Sequence, residues 1–174
     1  MAGSLVLIEK TTLGSGTASV TLDGIDSTYD VYMIRVSNVQ PVTDNKNIIC
    51  NITKSGSADT TSNYDIVGQG FISTGAFGDE GGNNASSFTI GASLGNGTGE
   101  KLNGLLYLYN FASSSEYSMI LVESCSLNLT PAVTGYQSAV VHTVTSASDG
   151  IKFAMESSVN INTGAEFALY GLKK

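Results

Sequence analysis

The chain has 174 residues, a length that fits one domain, and 41% of them are hydrophobic, so extensive disorder is not expected. Only 13% are charged, against about 25% in typical domains, and Ser, Thr, Asn and Gly supply the polarity instead. The formal net charge is -7 and the lysines are scattered, with Arg35 the one arginine. Binding to nucleic acid or to an anionic membrane is therefore not expected, because both need clustered cations.

Alternation of apolar and polar side chains with a period of two runs through most of the chain and predicts strands. In chain order the runs are Leu5–Ile8, Thr17–Leu22, Val31–Val36, Asn47–Lys54, Leu105–Phe111, Tyr117–Cys125, Ala139–Val144, Ile151–Met155 and Glu166–Leu172. Turn-forming pairs such as Asp23-Gly24 and Asp149-Gly150 separate them. About ten strands at near-regular spacing predict an all-β fold, a single-domain antiparallel sandwich of jelly-roll type over residues 1–174.

Two local features refine this prediction. The run Leu5–Ile8 is apolar on both faces, which is typical of a central strand or of a strand that lies under an interface. No segment has the spacing of a long amphipathic helix, and one short helical turn near Ala112–Glu116 is the only helical structure expected.

The segment from residue 74 to residue 104 differs, because it holds nine glycines and few large apolar residues. It predicts long loops on either side of one strand, Phe88–Leu94. Loops on a rigid scaffold often bind ligands, and an exposed insertion with no partner is the alternative. The acidic stretch Asp79–Asn84 is a candidate calcium loop, but its spacing does not match an EF-hand.

No residue set predicts catalysis, a cofactor or a metal. His142 is the only histidine, it lies in a strand pattern, and no Gly-x-Ser-x-Gly elbow accompanies it. Cys50 and Cys125 are too few and too dispersed for zinc, and are expected to be buried free thiols, although one bridge is an alternative. Aromatic pairs that could form a sugar platform are Tyr107 with Tyr109, or Tyr64 with Phe71, although alternating aromatics in strands usually lie in the core. The chain is therefore expected not to be an enzyme.

Three parts of the chain resemble a group of small virion proteins of tailed, often marine, phages. They are the opening Leu5–Lys10 with Ala18–Val20 and Tyr29–Asn45, the stretch Gly104–Phe111 with the Ser-rich turn after it, and the terminal Phe167–Leu172. The resemblance implies a jelly-roll-like module on the phage exterior, which decorates the capsid or forms the head of a fibre or tail tip. The resemblance implies no catalytic residues in this chain.

The resulting hypothesis is a capsid decoration or cement protein that self-associates, as a homotrimer, and binds the major capsid protein. A receptor- or carbohydrate-binding head that recognises a host glycan is the alternative. Without a signal-like N-terminus, the chain is expected to be made in the host cytoplasm and to end on the virion surface. The residues expected to make contacts are Leu5, Val6, Leu7, Ile8, Phe71, Phe77, Asn83 and Asn84.

Overall fold

The computed structural model describes residues 4–173, which form an antiparallel, jelly-roll-like β-sandwich and confirm the predicted fold class. The strands are β1 (Ser4–Thr12), β2 (Ser19–Leu22), β3 (Val31–Val39), β4 (Lys46–Lys54), β5 (Ser57–Ala58), β6 (Tyr64–Ile72), β7 (Phe77–Ala85), β8 (Phe88–Leu94), β9 (Leu102–Tyr109), β10 (Ser118–Leu127), β11 (Val133–His142), β12 (Gly150–Met155) and β13 (Glu166–Lys173). One 3₁₀ turn, Glu156–Ser158, follows β12.

The strands form two sheets that face each other. The large sheet has eight strands in the order β1-β13-β3-β9-β10-β11-β6-β7. The small sheet has five strands: β2, β12 and β4 pair in that order, and both β5 and β8 pair with β4. Every pairing between the named strands is antiparallel.

The core lies between the two sheets, because alternate residues of each strand point inward. The large sheet contributes fully buried side chains that include Ile34, Leu106, Leu108, Ile120, Val122 and Phe167, and the small sheet contributes Leu22, Ile48, Cys50, Ile52 and Phe153. The rings of Phe153 and Phe167 meet across the sandwich with centroids 5.0 Å apart. Burial of this apolar surface is the main stabilising contribution to the fold.

The glycine-rich segment is more ordered than the sequence predicted. Residues 77–85 form β7, so the prediction of continuous loop there is wrong, and the described residues contain thirteen strands instead of about ten. β7 pairs with β6, which also packs closely against β11 on its other side: a Cβ added to Gly68 of β6 would lie 2.6 Å from the Cβ of Ser138 on β11. β7 is an edge strand of Gly, Asp, Glu and Asn, a composition that discourages further strand pairing.

Two smaller predictions are also corrected. β1 is an edge strand of the large sheet and not a central strand. The segment from Ala112 to Glu116 forms turns and bends without a helix. A hydrogen bond from the backbone N–H of Ser113 to the carbonyl of Asn110, which has a φ of 61°, closes the first of these turns.

Candidate interaction surface

The outward side of the large sheet carries an unbroken row of mostly apolar side chains. Strand register places one residue from each of seven adjacent strands side by side: Leu7, Tyr170, Met33, Tyr107, Leu121, Ala139 and Val67. A second row lies two residues along each strand and contains Leu5, Leu172, Val31, Tyr109, Met119 and Val141. These two rows are called the outer apolar face below.

Side chains of the outer apolar face are partly open to solvent although they are large and apolar. Val67 is 67% exposed, Leu7 is 52% exposed and Leu121 is 46% exposed. Their strand neighbours point the other way, as Ile120 shows with 1% exposure. The central strands of this sheet are therefore apolar on both sides, whereas a two-layer sandwich normally alternates apolar inward residues with polar outward ones.

The small sheet shows the normal pattern. Its outward positions include Thr21 of β2, Lys152 of β12 and Asn51 of β4, which are paired in one row. The Asn51 side chain donates hydrogen bonds to the carbonyl oxygens of Asp59 and Ser86, at 3.0 and 2.8 Å. Only the large sheet thus presents an apolar outer surface, and exposed apolar patches of this kind mark interaction sites.

Charged groups border the outer apolar face on one side. Lys10 of β1 and Arg35 of β3 both pair with Glu166 of β13, with 2.5 Å between the Lys10 Nζ and a Glu166 Oε atom. The Lys10 ammonium is the main group that lowers the pKa of the Glu166 carboxyl. One carboxylate between two cations leaves this border with a net positive charge.

The opposite border, on β6 and β7, is acidic. Asp65 and Asp79 occupy outward positions, opposite Val141 and Gln69 respectively. The backbone N–H of Asn84 donates to the Asp65 carboxylate at 2.9 Å. The outward side of the large sheet therefore has a basic border, an acidic border and a mostly apolar centre, in which Glu123 of β10 is the outward-facing charged residue.

The predicted contact residues divide between the two sides of the large sheet. Leu5 and Leu7 belong to the outer apolar face, whereas Val6 alternates with them and Ile8 packs against the core. The rings of Phe71 and Phe77 lie beside the outer apolar face in a T-shaped contact, 5.9 Å apart. Asn83 and Asn84 are exposed on edge strand β7.

Most of the outer apolar face was missed by sequence reasoning, which placed Tyr107 and Tyr109 in the core or on a sugar platform. Both are half-buried on the outer apolar face, and Tyr64, of the other platform pair, is fully buried. The overlooked signal was the presence of apolar residues on both faces of a strand, which had been noted only for β1. β9 and β10 also have apolar residues at both alternating sets of positions, as the neighbours Leu106 and Tyr107 illustrate.

A second cluster, His142 with Asp59, is buried, with side chains that are 0% and 7% exposed. The imidazole Nε2 lies 3.0 Å from Asp59 Oδ2, and the ring packs on Tyr64 with centroids 5.2 Å apart. The other ring nitrogen, Nδ1, is buried and has no hydrogen-bond partner among residues 4–173. Through Asp59 and Tyr64, this histidine contacts the loop after β5 and strand β6.

The carboxylate of Asp59 is the centre of this cluster. The Thr61 backbone N–H donates to it at 3.0 Å, and Lys54 Nζ lies 2.9 Å from it. Burial acts to raise the pKa of Asp59, but the bonds from Thr61, Lys54 and His142 outweigh it and hold that pKa far below its usual value. Burial, more than any other effect, lowers the pKa of His142. Both lowered pKa values agree with a neutral imidazole that donates a hydrogen bond from Nε2 to an ionised Asp59.

Both cysteines are free thiols, as predicted, but only Cys50 is buried. Cys125 is exposed because it shares the outward parity of Leu121 and Glu123 on β10. The candidate calcium loop, Asp79 to Asn84, is not a loop, because these residues lie within β7. Within residues 4–173, no three His, Cys, Asp or Glu side chains gather as a metal site.

Comparison with known proteins finds no matching family model, no matching curated protein and no matching solved structure. In the part of the chain that the structure describes, no helix has the length and apolar character needed to traverse a bilayer. The candidate site is therefore defined by its own geometry, a sheet face with an apolar centre and borders of opposite charge.

Proposed function

We propose that this chain is a structural assembly protein of a phage virion, of the capsid-decoration or cement kind, which self-associates through the outer apolar face. The exposed rows on the large sheet are the observation that carries the proposal. The phage assignment rests on the sequence resemblance. The polar outer surface of the small sheet and the loops at the ends of the sandwich stay available for contact with the capsid shell.

The size of the face supports a protein partner. Seven strands, each about 4.8 Å wide, span about 34 Å, and two outward rows, each about 6.8 Å deep, span about 14 Å. The resulting area of about 460 Å² is more than half of the roughly 800 Å² that each partner contributes to a standard interface, and the charged borders add to it.

The arrangement of charge supports a second copy of the same chain as that partner. A two-fold axis parallel to the strands, between β9 and β10, stacks β1 of one copy over β7 of the other. Lys10 of each copy then faces Asp79 of the other, and Tyr107 faces Leu121. Both sets of contacts repeat by symmetry, as an isologous interface requires. A net charge of -7 opposes association elsewhere on the surface, so a self-complementary face is needed to overcome it.

Self-association is tested by light scattering coupled to size-exclusion chromatography at about 10–100 µM protein, a range that detects micromolar affinity. The expected result is an oligomer that Leu121→Lys converts to a monomer, while Thr21→Lys, its counterpart on the small sheet, leaves the oligomer intact. The face-to-face contact predicts a dimer. The homotrimer expected from the sequence resemblance needs a different contact, so the measured mass distinguishes the two. A wild-type monomer throughout this range contradicts self-association.

The cement role is tested on capsids of the phage that encodes the chain. Capsids that carry the protein are expected to rupture at a higher temperature than capsids without it, because a ligand of the intact shell stabilises the shell by mass action. Unchanged rupture temperature together with no shell binding contradicts the cement role. Saturable adsorption of the isolated protein to host cells favours the alternative, a receptor-binding head.

A further inference from the structure

The inner surface of the large sheet changes character towards the β10–β11 turn. Ile120 and Val122 of β10 fill the core, but the next two inner positions are Ser124 and Ser126. The neighbouring strands also carry small or polar residues at their inner positions there: Thr134, Gly70 and Gly78. A sandwich interior built only for stability would continue with apolar side chains, and departures of this kind mark functional sites.

A cavity of about 160 Å³ lies among these residues and β8. Its walls include Tyr136, Glu80, Ser126, Thr134 and Gly78. Its volume is close to that of a 150 Å³ protein cavity known to hold one benzene ring, so the ring atoms of one small molecule fit, and exposed Gly78 in the wall leaves a side open for substituents on that ring. A Cβ built on Gly78 meets no atom within 4 Å, which shows that the space beside this strand is open.

The cavity combines an aromatic ring with polar groups and has no cationic side chain in its wall. The Ser126 and Thr134 hydroxyl oxygens are 2.6 Å apart, and either can donate to the other. The Glu80 carboxylate forms no hydrogen bond or ion pair within residues 4–173. Burial, and then the charge of Glu80, raises the pKa of Tyr136 to about 12, so its phenol keeps its proton.

This chemistry selects a ligand class. An anionic ligand is repelled, because Glu80 is the only charged residue in the wall and the chain carries a net charge of -7. A wholly apolar ligand would remove water from Glu80 and the hydroxyls without replacing its hydrogen bonds. A ring with several hydroxyl groups can donate to Glu80 and exchange hydrogen bonds with Ser126, while its C–H face covers the Tyr136 ring.

We propose that this cavity binds one neutral pyranose ring, such as the terminal unit of a glycan. The cavity lies on the inner side of the large sheet, opposite the outer apolar face, so binding does not require self-association. The site would give either a decoration protein or a tail-tip head a means of attachment to a glycan.

The test is an NMR titration of the ¹⁵N-labelled Leu121→Lys variant, and of the wild-type chain, with glucose, galactose, mannose and N-acetylglucosamine. At least one sugar is expected to give saturable shifts at Ser126, Thr134 and Tyr136, with a Kd of about 1–10 mM, the range for a ligand with so few atoms. Glucose 6-phosphate is the charged comparison and is expected to bind more weakly than glucose. Tighter binding of the phosphate overturns the assignment of a neutral ligand.

Two variants locate the site. Gly78→Leu fills the open space. It is expected to weaken sugar binding at least about tenfold, because the leucine side chain displaces the ring from its hydrogen-bond partners. Gly14→Leu is its control, since Gly14 is equally unobstructed and lies outside the cavity. Glu80→Gln keeps the side-chain shape, so it tests the carboxylate even if Gly78→Leu fails to fold. The proposal is overturned if no sugar gives saturable shifts at the cavity, or if neither variant weakens them.

Discussion

The imidazole of His142 lies 3.0 Å from the carboxylate of Asp59, a residue 83 positions earlier in the chain. This contact ties the end of β11 to the loop after β5, and both side chains are almost completely buried. It joins the two sheets of the sandwich through a charge-assisted bond in a region of low dielectric constant, where such bonds contribute more than at the surface.

Stability is expected to fall as the pH decreases below about 6.5, the ordinary pKa of a histidine side chain. Burial in the folded protein holds the pKa of His142 below its ordinary value, so the unfolded chain binds the proton first and protonation favours unfolding. The loss of stability begins near the pKa of His142 in the unfolded chain and is complete once the pH is below its pKa in the folded protein. Urea unfolding at a series of pH values measures it.

The variant His142→Leu provides the comparison for this pH dependence. It is expected to be less stable at pH 8 by about 1–3 kcal/mol, because Asp59 loses a buried donor. Its stability should change much less between pH 7 and pH 5, since the chain then contains no histidine. If the free energy of unfolding of His142→Leu depends on pH as steeply as that of the wild type, another group is responsible.

Asp59→Asn should destabilise the fold by about 2–4 kcal/mol, since removal of one partner from a buried ionic cluster is costly. Lys54 loses its counter-ion, and the Thr61 turn loses a charged acceptor. Asp79→Asn on exposed strand β7 is the matched control and should change stability by less than about 0.5 kcal/mol. Chemical denaturation at pH 7 distinguishes them, and equal effects would contradict the central position of Asp59.

Adjacent residues on β10 should respond differently to truncation. Ile120→Ala is expected to cost about 2–4 kcal/mol because it leaves a cavity between the sheets. Leu121→Ala, one residue later on the outer apolar face, should cost less than about 1 kcal/mol in the monomer, because its side chain is already 46% exposed. Thermal unfolding at low protein concentration measures both, and a large cost at Leu121 would mean that the face is buried in the monomer.

Exchange of charge across the proposed two-fold contact should affect association more than folding, although Lys10→Glu also removes the ion pair with Glu166 of the same chain. Lys10→Glu or Asp79→Lys alone is expected to weaken self-association several-fold, because each places like charges opposite one another. The double variant should recover much of the loss. Sedimentation velocity in low and high salt measures these differences. Absence of recovery would argue against an axis parallel to the strands.

The two thiols should differ in reactivity. Cys125 is exposed on β10 and should react with a thiol reagent in the folded protein, whereas Cys50 should react only after unfolding. Burial also raises the pKa of the Cys50 thiol well above its ordinary value, which lowers the thiolate fraction further. Ellman's assay with and without denaturant counts the thiols, and rapid reaction of both would contradict the burial of Cys50.

The sequence predicted the class of fold because alternation with a period of two is a local property. It could not predict the pairing partners of the strands, which depend on contacts between distant segments. The outer apolar face illustrates the difference. Tyr107 and Leu121 are each visible in an alternating run, but only the register of β9 with β10 shows that they share a face.

The glycine-rich strand β7 and the Asp59 cluster escaped sequence reasoning for a similar reason. Glycine has low intrinsic preference for strands, so Phe77 to Ala85 is predicted as loop until β6 is available to pair with it. Asp59 lies in a polar stretch with no motif, and its importance depends on Lys54 and His142, which approach it from other elements.

The position of β13 sets a condition on the order of folding. Glu166–Lys173 occupy the place between β1 and β3, so the first strand has no partner in the large sheet until this late segment joins it. During synthesis, β1 and β3 both expose unpaired edges and apolar side chains. Closure between such distant segments is entropically costly and slow, so the nascent chain is most prone to aggregation in the interval before residues 166–173 leave the ribosome.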